Sequence, residues 1–380
     1  MNVRREVLIV QRRLPEYRVP FFERLRSLLA AEDIGLVLAH GEASPQEQRR
    51  RDEGTLPWAV RLRNRYAIVA GIPVVHQEIP RSLRRDKSLV VVTHENGLLS
   101  NYPILARRML GLGDRVAFWG HGPTRGDAFR HRLKRWTARR VDWWFAYTSI
   151  SVERVTGAGF PPDRITLLEN AIDTQALQGW VSSVGAEERE SLRRSLGIEG
   201  AHVAVSLGSL SDEKRLPFLV TAADLVRARV PDFHLVFVGD GPRQDWLREA
   251  AGTRPWVHLV GARHDREKAL YCSLGVANLN PGMVGLGIVD SFALGIPMVT
   301  TEGTFHSPEI AYLEPGRNGV RTAHAPEEFA EAVARVLRDD AYRAELIAGC
   351  RASAARYTID AMARRFAAGV RLAIEAPRRR

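Results

Sequence analysis

Three glycines, one carboxylate and a helix stop follow one another in a single stretch of this chain, in an order that could hold a phosphorylated ligand. The stretch is Asn280-Pro-Gly-Met-Val-Gly-Leu-Gly-Ile-Val-Asp-Ser-Phe-Ala-Leu-Gly-Ile-Pro-Met-Val299. A strand-like run, Gly275 to Leu279, feeds a loop carrying Gly282, Gly285 and Gly287, and the loop opens a helix with Asp290 in its early turns. Gly295 ends that helix, and Pro297 blocks its continuation before a short buried strand, Met298 to Thr300. Glycine lets backbone approach a ligand closely, and a helix N-terminus offers unpaired N–H groups and a positive dipole end. A carboxylate one or two turns in can accept hydroxyl donors. A phosphate cradle beside a diol-binding acid predicts a nucleotide. Taken alone, the segment has a plainer alternative, because strand–loop–helix units bind unrelated ligands in many α/β folds.

The same stretch resembles the donor-binding segment of the retaining glycosyltransferases of family 4, which have the GT-B fold. Their pattern is two acids eight residues apart, then a helix closing in a Gly-x-Pro-Val-like turn. Asp290 matches the second acid, and Gly295 and Pro297 match the turn, whereas Gly282 stands in place of the first acid. Met283, Val284, Gly285 and Leu286 fall on the donor loop between the two acid positions. Val205-Ser-Leu-Gly-Ser-Leu-Ser-Asp-Glu-Lys-Arg resembles the family's Gly-Arg-Leu-x-x-x-Lys segment. Gly208 matches its glycine and Lys214 the lysine that contacts the donor diphosphate. Ser209 stands where arginine is common, with Arg215 adjacent as a replacement cation. Val260-Gly-Ala-Arg-His264, containing Arg263, matches the segment whose backbone reads the base, and Val238-Gly-Asp-Gly-Pro242 reads as a tight turn. Phe118-Trp-Gly-His-Gly-Pro123 resembles the segment bearing a histidine near the donor sugar, which assigns His121. Acceptor-side candidates are Tyr17 and Arg18, in the loop after the first strand, and Glu95 and Asn96, after the strand Leu89–Thr93.

The resemblance implies transfer of a sugar with retention of configuration. The leaving diphosphate, stabilised by Lys214, takes the acceptor proton, with no metal and no cofactor beyond the nucleotide-sugar co-substrate. That is an electrostatic task. The residues agree, because no Ser/His/Asp or Cys/His constellation and no metal-ligating cluster can be assembled from the sequence. Loss of the first acid at Gly282 puts the sugar and its orientation in question more than the leaving-group chemistry. A GT-B-fold sugar-nucleotide epimerase would share the nucleotide site but needs acid and base groups, for which only His121 and Glu95 offer themselves. A non-catalytic nucleotide-sugar-binding partner protein is the third reading. No Gly-x-Gly-x-x-Gly follows the first strand, which disfavours a nicotinamide dehydrogenase.

Positioning these groups falls to an alternating series of strands and helices. Expected strands are Val7–Val10, Leu36–Ala39, Leu89–Thr93, Arg115–Trp119, Trp143–Tyr147 and Ile165–Leu168, then Val203–Leu207, Leu235–Val238, Val257–Val260, Gly275–Leu279 and Met298–Thr300. Short apolar strands between helical segments predict parallel sheets covered on both faces. The fold class is therefore α/β with two Rossmann-like domains in tandem, and the resemblance implies the GT-B arrangement, in which the two face each other across a ligand cleft beyond the strand ends. The expected boundaries are 1–173, 174–350 and a last segment, 351–380; the resemblance implies that the first domain binds the acceptor, the second the nucleotide sugar, and that the helix Tyr357–Glu375 returns to the first domain.

The 380 residues carry a net charge of +11, unevenly placed. Residues 1–180 hold 29 Lys and Arg against 19 Asp and Glu, and residues 181–380 hold 26 against 25. The densest basic part, Arg125 to Arg140, includes Arg130, Arg132, Lys134 and Arg135 with Trp136, and Trp143 and Trp144 follow. Cations with tryptophans suit an anionic membrane surface, although a solvated helix face explains them as well. No nucleic-acid motif accompanies them. Cys272 and Cys350 match no metal or redox spacing and read as buried thiols of a reducing compartment. No apolar run has the length of a membrane span. The expected setting is the cytoplasm, with peripheral attachment to the inner face of the plasma membrane and a lipid-linked or oligosaccharide acceptor.

Overall fold

The computed structural model describes residues 5–48, 52–123, 128–303 and 306–379, with the side chains of residues 46 and 128–131 outside the description. The chain divides into two compact units, one of residues 1–170 with 359–380 and one of residues 171–358. The sequence-based boundary at 350/351 falls inside one continuous helix, Asp340–Arg356.

The first unit contains β1 (Arg5–Gln11), β2 (Ile34–His40), β3 (Val60–Arg61), β4 (Asn64–Val69), β5 (Ile72–Gln77), β6 (Leu89–Thr93), β7 (Arg115–Gly120), β8 (Trp143–Ala146) and β9 (Ile165–Leu167). Seven of them form one parallel sheet in the order β3-β2-β1-β6-β7-β8-β9. Val7 to Val10 and Leu89 to Val92 are buried, as befits strands covered on both faces. The helix Ile359–Glu375 covers this sheet and packs on the helix Val19–Ala30. Its Phe366 stacks on Phe145 at 4.1 Å and meets Phe21 and Trp119 edge-on. Burying such a ring contributes about 1.5–3 kcal/mol.

Residues 60–77 were not expected as strands. β4 and β5 form a separate antiparallel hairpin whose tip exposes Ile68 and Val69. Its alternating, mostly exposed residues give no buried apolar run, and that is why the pattern escaped the strand search.

The second unit contains β10 (Val203–Leu207), β11 (His234–Val238), β12 (Val257–Gly261), β13 (Asn278–Leu279), β14 (Met298–Thr301) and β15 (Gly319–Thr322). They form one parallel sheet in the order β12-β11-β10-β13-β14-β15. The expected strand Gly275–Leu279 shrinks to Asn278–Leu279, while β15 was not foreseen. In both sheets the strand order reverses once, between β1 and β6 and between β10 and β13. Parallel α/β sheets hold ligands beyond the carboxyl ends of their strands at such reversals.

Candidate functional site

At the reversal in the second unit, two loops meet. The first follows β10. Gly208 adopts φ +127°, and its amide donates to the Val238 carbonyl at 3.1 Å. A Cβ on Gly239 would lie 1.8 Å from the Gly208 oxygen, so the Gly239 turn packs backbone against backbone. Asp240 is exposed and caps its own turn through Gly241, as a tight-turn reading expects. Ser209 is exposed, and the chain then makes a short 3-10 turn, Asp212–Lys214. Arg215 takes the left-handed conformation, φ +53°, immediately before the helix Leu216–Arg229.

The second loop follows β13 and lies across the first. A Cβ on Gly282 would fall 2.1 Å from the Glu213 carbonyl oxygen and 2.5 Å from Lys214 backbone. No side chain fits there without movement of the Glu213–Lys214 backbone. The Met283 amide donates to Glu213 O at 2.7 Å, and the Lys214 ammonium donates to Met283 O at 2.7 Å. Burial pulls the Lys214 amine down to about 8. Val284 is buried, and its amide donates to His306 Nδ1 at 3.1 Å. Gly285 and Gly287 have room for a Cβ. The amides of Gly285, Leu286 and Gly287 meet no acceptor among the described residues, at the start of the helix Gly287–Leu294. Three successive N–H groups without acceptors among the described residues, at a helix start beside a partly buried ammonium, form an anion cradle.

Asp290 lies in the first turn of that helix and is not solitary. Lys268, on the helix Asp265–Cys272, donates to Asp290 Oδ1 at 2.7 Å. Burial pulls the Lys268 ammonium down, but Asp290 beside it outweighs that, and the net direction is up. Asp290 Oδ2 takes no protein donor among the described residues. The sequence offered no sign of Lys268, because the contact joins two helices through space. Arg263 is turned back on its own unit. Its Nε donates to Val260 O at 3.0 Å, and its guanidinium lies 4.7 Å from the Tyr271 ring centre.

The first-unit candidates gather at that unit's own strand ends. His121 follows β7 between two positive-φ glycines, is exposed, and meets Tyr147 edge-on at 4.7 Å. Tyr17 is 41% exposed. Glu95 pairs with Arg12 at 3.3 Å, and the Asn96 carbonyl accepts from Tyr102. Arg18 faces inward. It is buried, donates to Asn170 Oδ1 at 2.6 Å, and lies over the Tyr17 and Trp119 rings. Arg12 makes two hydrogen bonds to Glu47, and Arg13 two to Asp52. Burial pushes the Glu47 carboxyl up, but the hydrogen bonds from Arg12 and Ser44 outweigh it and hold it at about 2.

The basic helix needs correction. Trp143 and Trp144 lie buried in β8, their indoles donating to Thr166 and Ala138, and so they cannot serve a surface patch. Arg132, Arg135 and Trp136 are exposed on the helix Ala128–Ala138. Arg125 and the Arg130 side chain lie outside the described residues.

Residues 201–339 match the family described as Glycosyl transferases group 1. No curated protein matches the chain in sequence. Solved structures do match in architecture. A glycosyltransferase from Rickettsia africae superposes with a TM-score of 0.71 at 10% identity, covering 99% of this chain and 100% of that one. HepE of Anabaena, solved with UDP, gives 0.68 at 14%, covering 96% and 98%. WaaG, a glycosyltransferase involved in lipopolysaccharide biosynthesis, gives 0.61 at 15%, covering 95% and 98%. The architecture is GT-B, with two Rossmann-like α/β units. The family match spans the cradle around Lys214 and Gly282, and it supports a glycosyltransferase.

Proposed function

We propose that the protein is a retaining glycosyltransferase that moves a hexosyl group from a nucleotide-diphosphate sugar to a glycan acceptor, in cell-surface polysaccharide or glycolipid biosynthesis. The observation that carries this reading is the cradle itself. The Lys214 ammonium, 2.7 Å from Met283 O, stands beside the loop whose amides at Gly285, Leu286 and Gly287 lack acceptors. Such donors match the charge that develops on a departing diphosphate, and they act best where water is displaced. In this reading Lys214 and Arg215 neutralise the diphosphate without a metal, and Gly208 gives it room. Asp290 Oδ2 accepts ribose hydroxyls, the backbone near Arg263 meets the base, and His121 contacts the reacting sugar. Tyr17, Glu95 and Asn96 meet the acceptor. HepE was also solved with UDP-glucose, which makes uridine nucleotides the first to try.

A lipid-linked acceptor follows from charge. The first unit holds 35 Lys and Arg against 20 Asp and Glu, and the second 20 against 24. The positive excess belongs wholly to the unit assigned to the acceptor, which favours an anionic membrane face. No described helix is long and apolar enough to cross a membrane.

The test is thermal stabilisation by UDP, GDP, ADP and dTDP, then sugar transfer from the matching nucleotide sugars. The parent should be stabilised by one of them and Lys214→Ala should not. Equal stabilisation of both would remove Lys214 from the site. Gly282 and Ser209 keep one second reading alive, a nucleotide-sugar-binding protein without turnover. Binding with no transfer to any glycan or lipid-linked acceptor would select it.

A further inference from the structure

The Lys214 ammonium and the far end of β14 are joined through one peptide unit and one histidine. Met283 O accepts the ammonium at 2.7 Å, and the Val284 amide belongs to the same planar peptide. That amide donates to His306 Nδ1 at 3.1 Å, and His306 Nε2 lies 2.9 Å from Thr301 O. An amide N–H only donates, and a carbonyl oxygen only accepts. His306 Nδ1 is therefore unprotonated, Nε2 carries the proton, and the ring is neutral. Hydrogen bonds in series of this kind polarise one another. Ser307 N donates to Val284 O at 2.9 Å, so residues 306 and 307 hold both polar atoms of the Val284 backbone. Gly285, whose amide is the first of the cradle, follows directly. Turning the Met283–Val284 peptide would move the seat of the ammonium and that amide together.

Charged groups reach the ring from each element around it. Burial pulls His306 below the usual imidazole range, the bond to the Thr301 carbonyl opposes this, and Arg321, Lys214 and Arg215 lower it further. Arg321 stands on β15, Lys214 ends the turn after β10, and Arg215 follows it. Of the acids on these segments, Glu213 and Glu302 are exposed, and Glu309 is buried in the turn Pro308–Tyr312. A second histidine, His324, follows β15, its Nδ1 3.3 Å from Thr301 Oγ1 and 3.0 Å from Arg215 Nη1.

We propose that His306 is a positioning residue for the donor diphosphate, whose neutral ring holds the Met283–Val284 peptide and, through it, Lys214 and the first amide of the cradle. The inference rests on the nucleotide-sugar reading above and adds control by pH to that same site. A proton on Nδ1 would face the Val284 N–H, and two donors cannot share a hydrogen bond. The link stands while the ring is neutral and is lost as pH falls through its lowered value. Two other effects of acid have the opposite sign. Lys214, at about 8, gains charge below pH 7.5, and an imidazolium would attract a diphosphate. Weaker binding in acid therefore reports the broken link.

Calorimetric titration between pH 7.5 and 5.0 tests it with UDP-glucose, GDP-mannose, ADP-glucose and dTDP-glucose, diphosphate diesters whose own charge does not change over that range. For the donor that binds, the parent should bind at least three-fold more weakly at pH 5.0 than at 7.5. His306→Asn, which keeps an acceptor near the place of Nδ1 and does not titrate, should stay within three-fold of the parent at pH 7.5 and lose the pH dependence. His306→Phe should bind at least ten-fold more weakly than the parent at pH 7.5, with no further loss in acid, and His324→Gln should keep the parent's pH dependence. Should the phenylalanine variant fail to fold, the asparagine variant carries the test. A second measurement needs no nucleotide: nitrogen NMR of histidine-labelled parent, assigned through His306→Asn, should show the Nε2–H tautomer at pH 7.5. The other tautomer or a charged ring there overturns the proposal. So does binding that tightens in acid, a pH dependence that survives His306→Asn or vanishes in His324→Gln, or parent-like binding by His306→Phe. Binding that ignores pH overturns this inference alone. If the parent binds none of the four at any pH, the nucleotide reading fails and this inference with it.

Discussion

At the carboxyl ends of β1 and β6, Arg12 and Arg13 are met by Glu47, Asp52 and Glu95. At the corresponding ends of the second sheet, Lys214, Arg215 and Arg321 meet no carboxylate among the described residues. Net charge runs the other way, since the first unit carries an excess of 15 positive charges and the second an excess of 4 negative ones. The contrast teaches that unit-level charge and site-level charge are separate quantities. The first governs long-range approach to a surface and is screened by salt. The second is decided by which cations the fold leaves without a partner. On the proposed reading, the diphosphate lies where the counter-charges are missing, and the acceptor meets the unit where carboxylates and guanidinium groups already pair.

The sharpest way to break the comparison is to add an acid to the second crevice. Gly282→Glu restores the family's residue type but sets a Cβ 2.1 Å from Glu213 O. The Glu213–Lys214 backbone must then move. Overpacking of this kind costs about 1–3 kcal/mol, and a buried carboxylate adds to it. We expect a lowered urea midpoint together with loss of nucleoside diphosphate binding. An unchanged midpoint would mean that the two loops are not locked together.

Lys214→Met should separate stability from binding. The Lys214 amine sits at about 8 against an ordinary 10.5, because burial penalises its charge. Between those values the unfolded chain binds more protons than the folded one, so parent stability should rise with pH across about 8 to 10.5. The methionine variant should lack that rise and be more stable at pH 7 by about 1–3 kcal/mol, while binding nucleoside diphosphate at least ten-fold more weakly. Met283 O keeps a donor in Asn280 Nδ2, at 3.1 Å. Parallel pH–stability curves for the two proteins would show that the ammonium is well solvated.

Asp290 and Lys268 come next. On the proposed reading, Asp290→Ala removes the acceptor for ribose hydroxyls and should weaken nucleoside diphosphate binding by about 1.5–3 kcal/mol, the worth of a hydrogen bond to a charged group. It also strands the Lys268 ammonium, so the melting temperature should fall. Lys268→Met leaves the carboxylate in place and should cost less affinity than Asp290→Ala. An affinity loss as large as that of Asp290→Ala would transfer the ribose contact to the lysine.

What could be read from residue order alone was the backbone scaffold of the site. The glycine loop, the helix bearing Asp290 and the stop at Gly295, where φ is +69°, are encoded locally. Gly282 was legible as a departure from the pattern that the segment resembles, but the Glu213 carbonyl packed against it lies about seventy residues away in sequence. Lys268 was invisible for the same reason. A lone cation on a helix or strand carries no local signature, and its partner, or lack of one, is set by packing. The burial of Arg18 was not legible either, since it is set by the aromatic rings around the guanidinium.

The smallest expected effect concerns the first unit's surface. Arg132 and Arg135 are exposed on the helix Ala128–Ala138, Lys134 lies between them, and Arg140 sits 5.1 Å from the ring centre of the partly exposed Trp136. With Trp143 and Trp144 buried, attachment to a bilayer must rest on these cations and one indole. A cation near an anionic surface contributes about 1 kcal/mol at most. Changing Arg132, Lys134 and Arg135 together to Gln should therefore weaken binding to phosphatidylserine vesicles by about 1–3 kcal/mol and leave nucleoside diphosphate binding untouched. Co-sedimentation should be stronger at 0.01 M salt, where the Debye length is about 30 Å, than at 0.1 M, where it is about 10 Å. If neutral and anionic vesicles bound equally, or the triple variant lost nothing, the positive excess of the first unit would not be a membrane signal, and a soluble glycan would become the better acceptor.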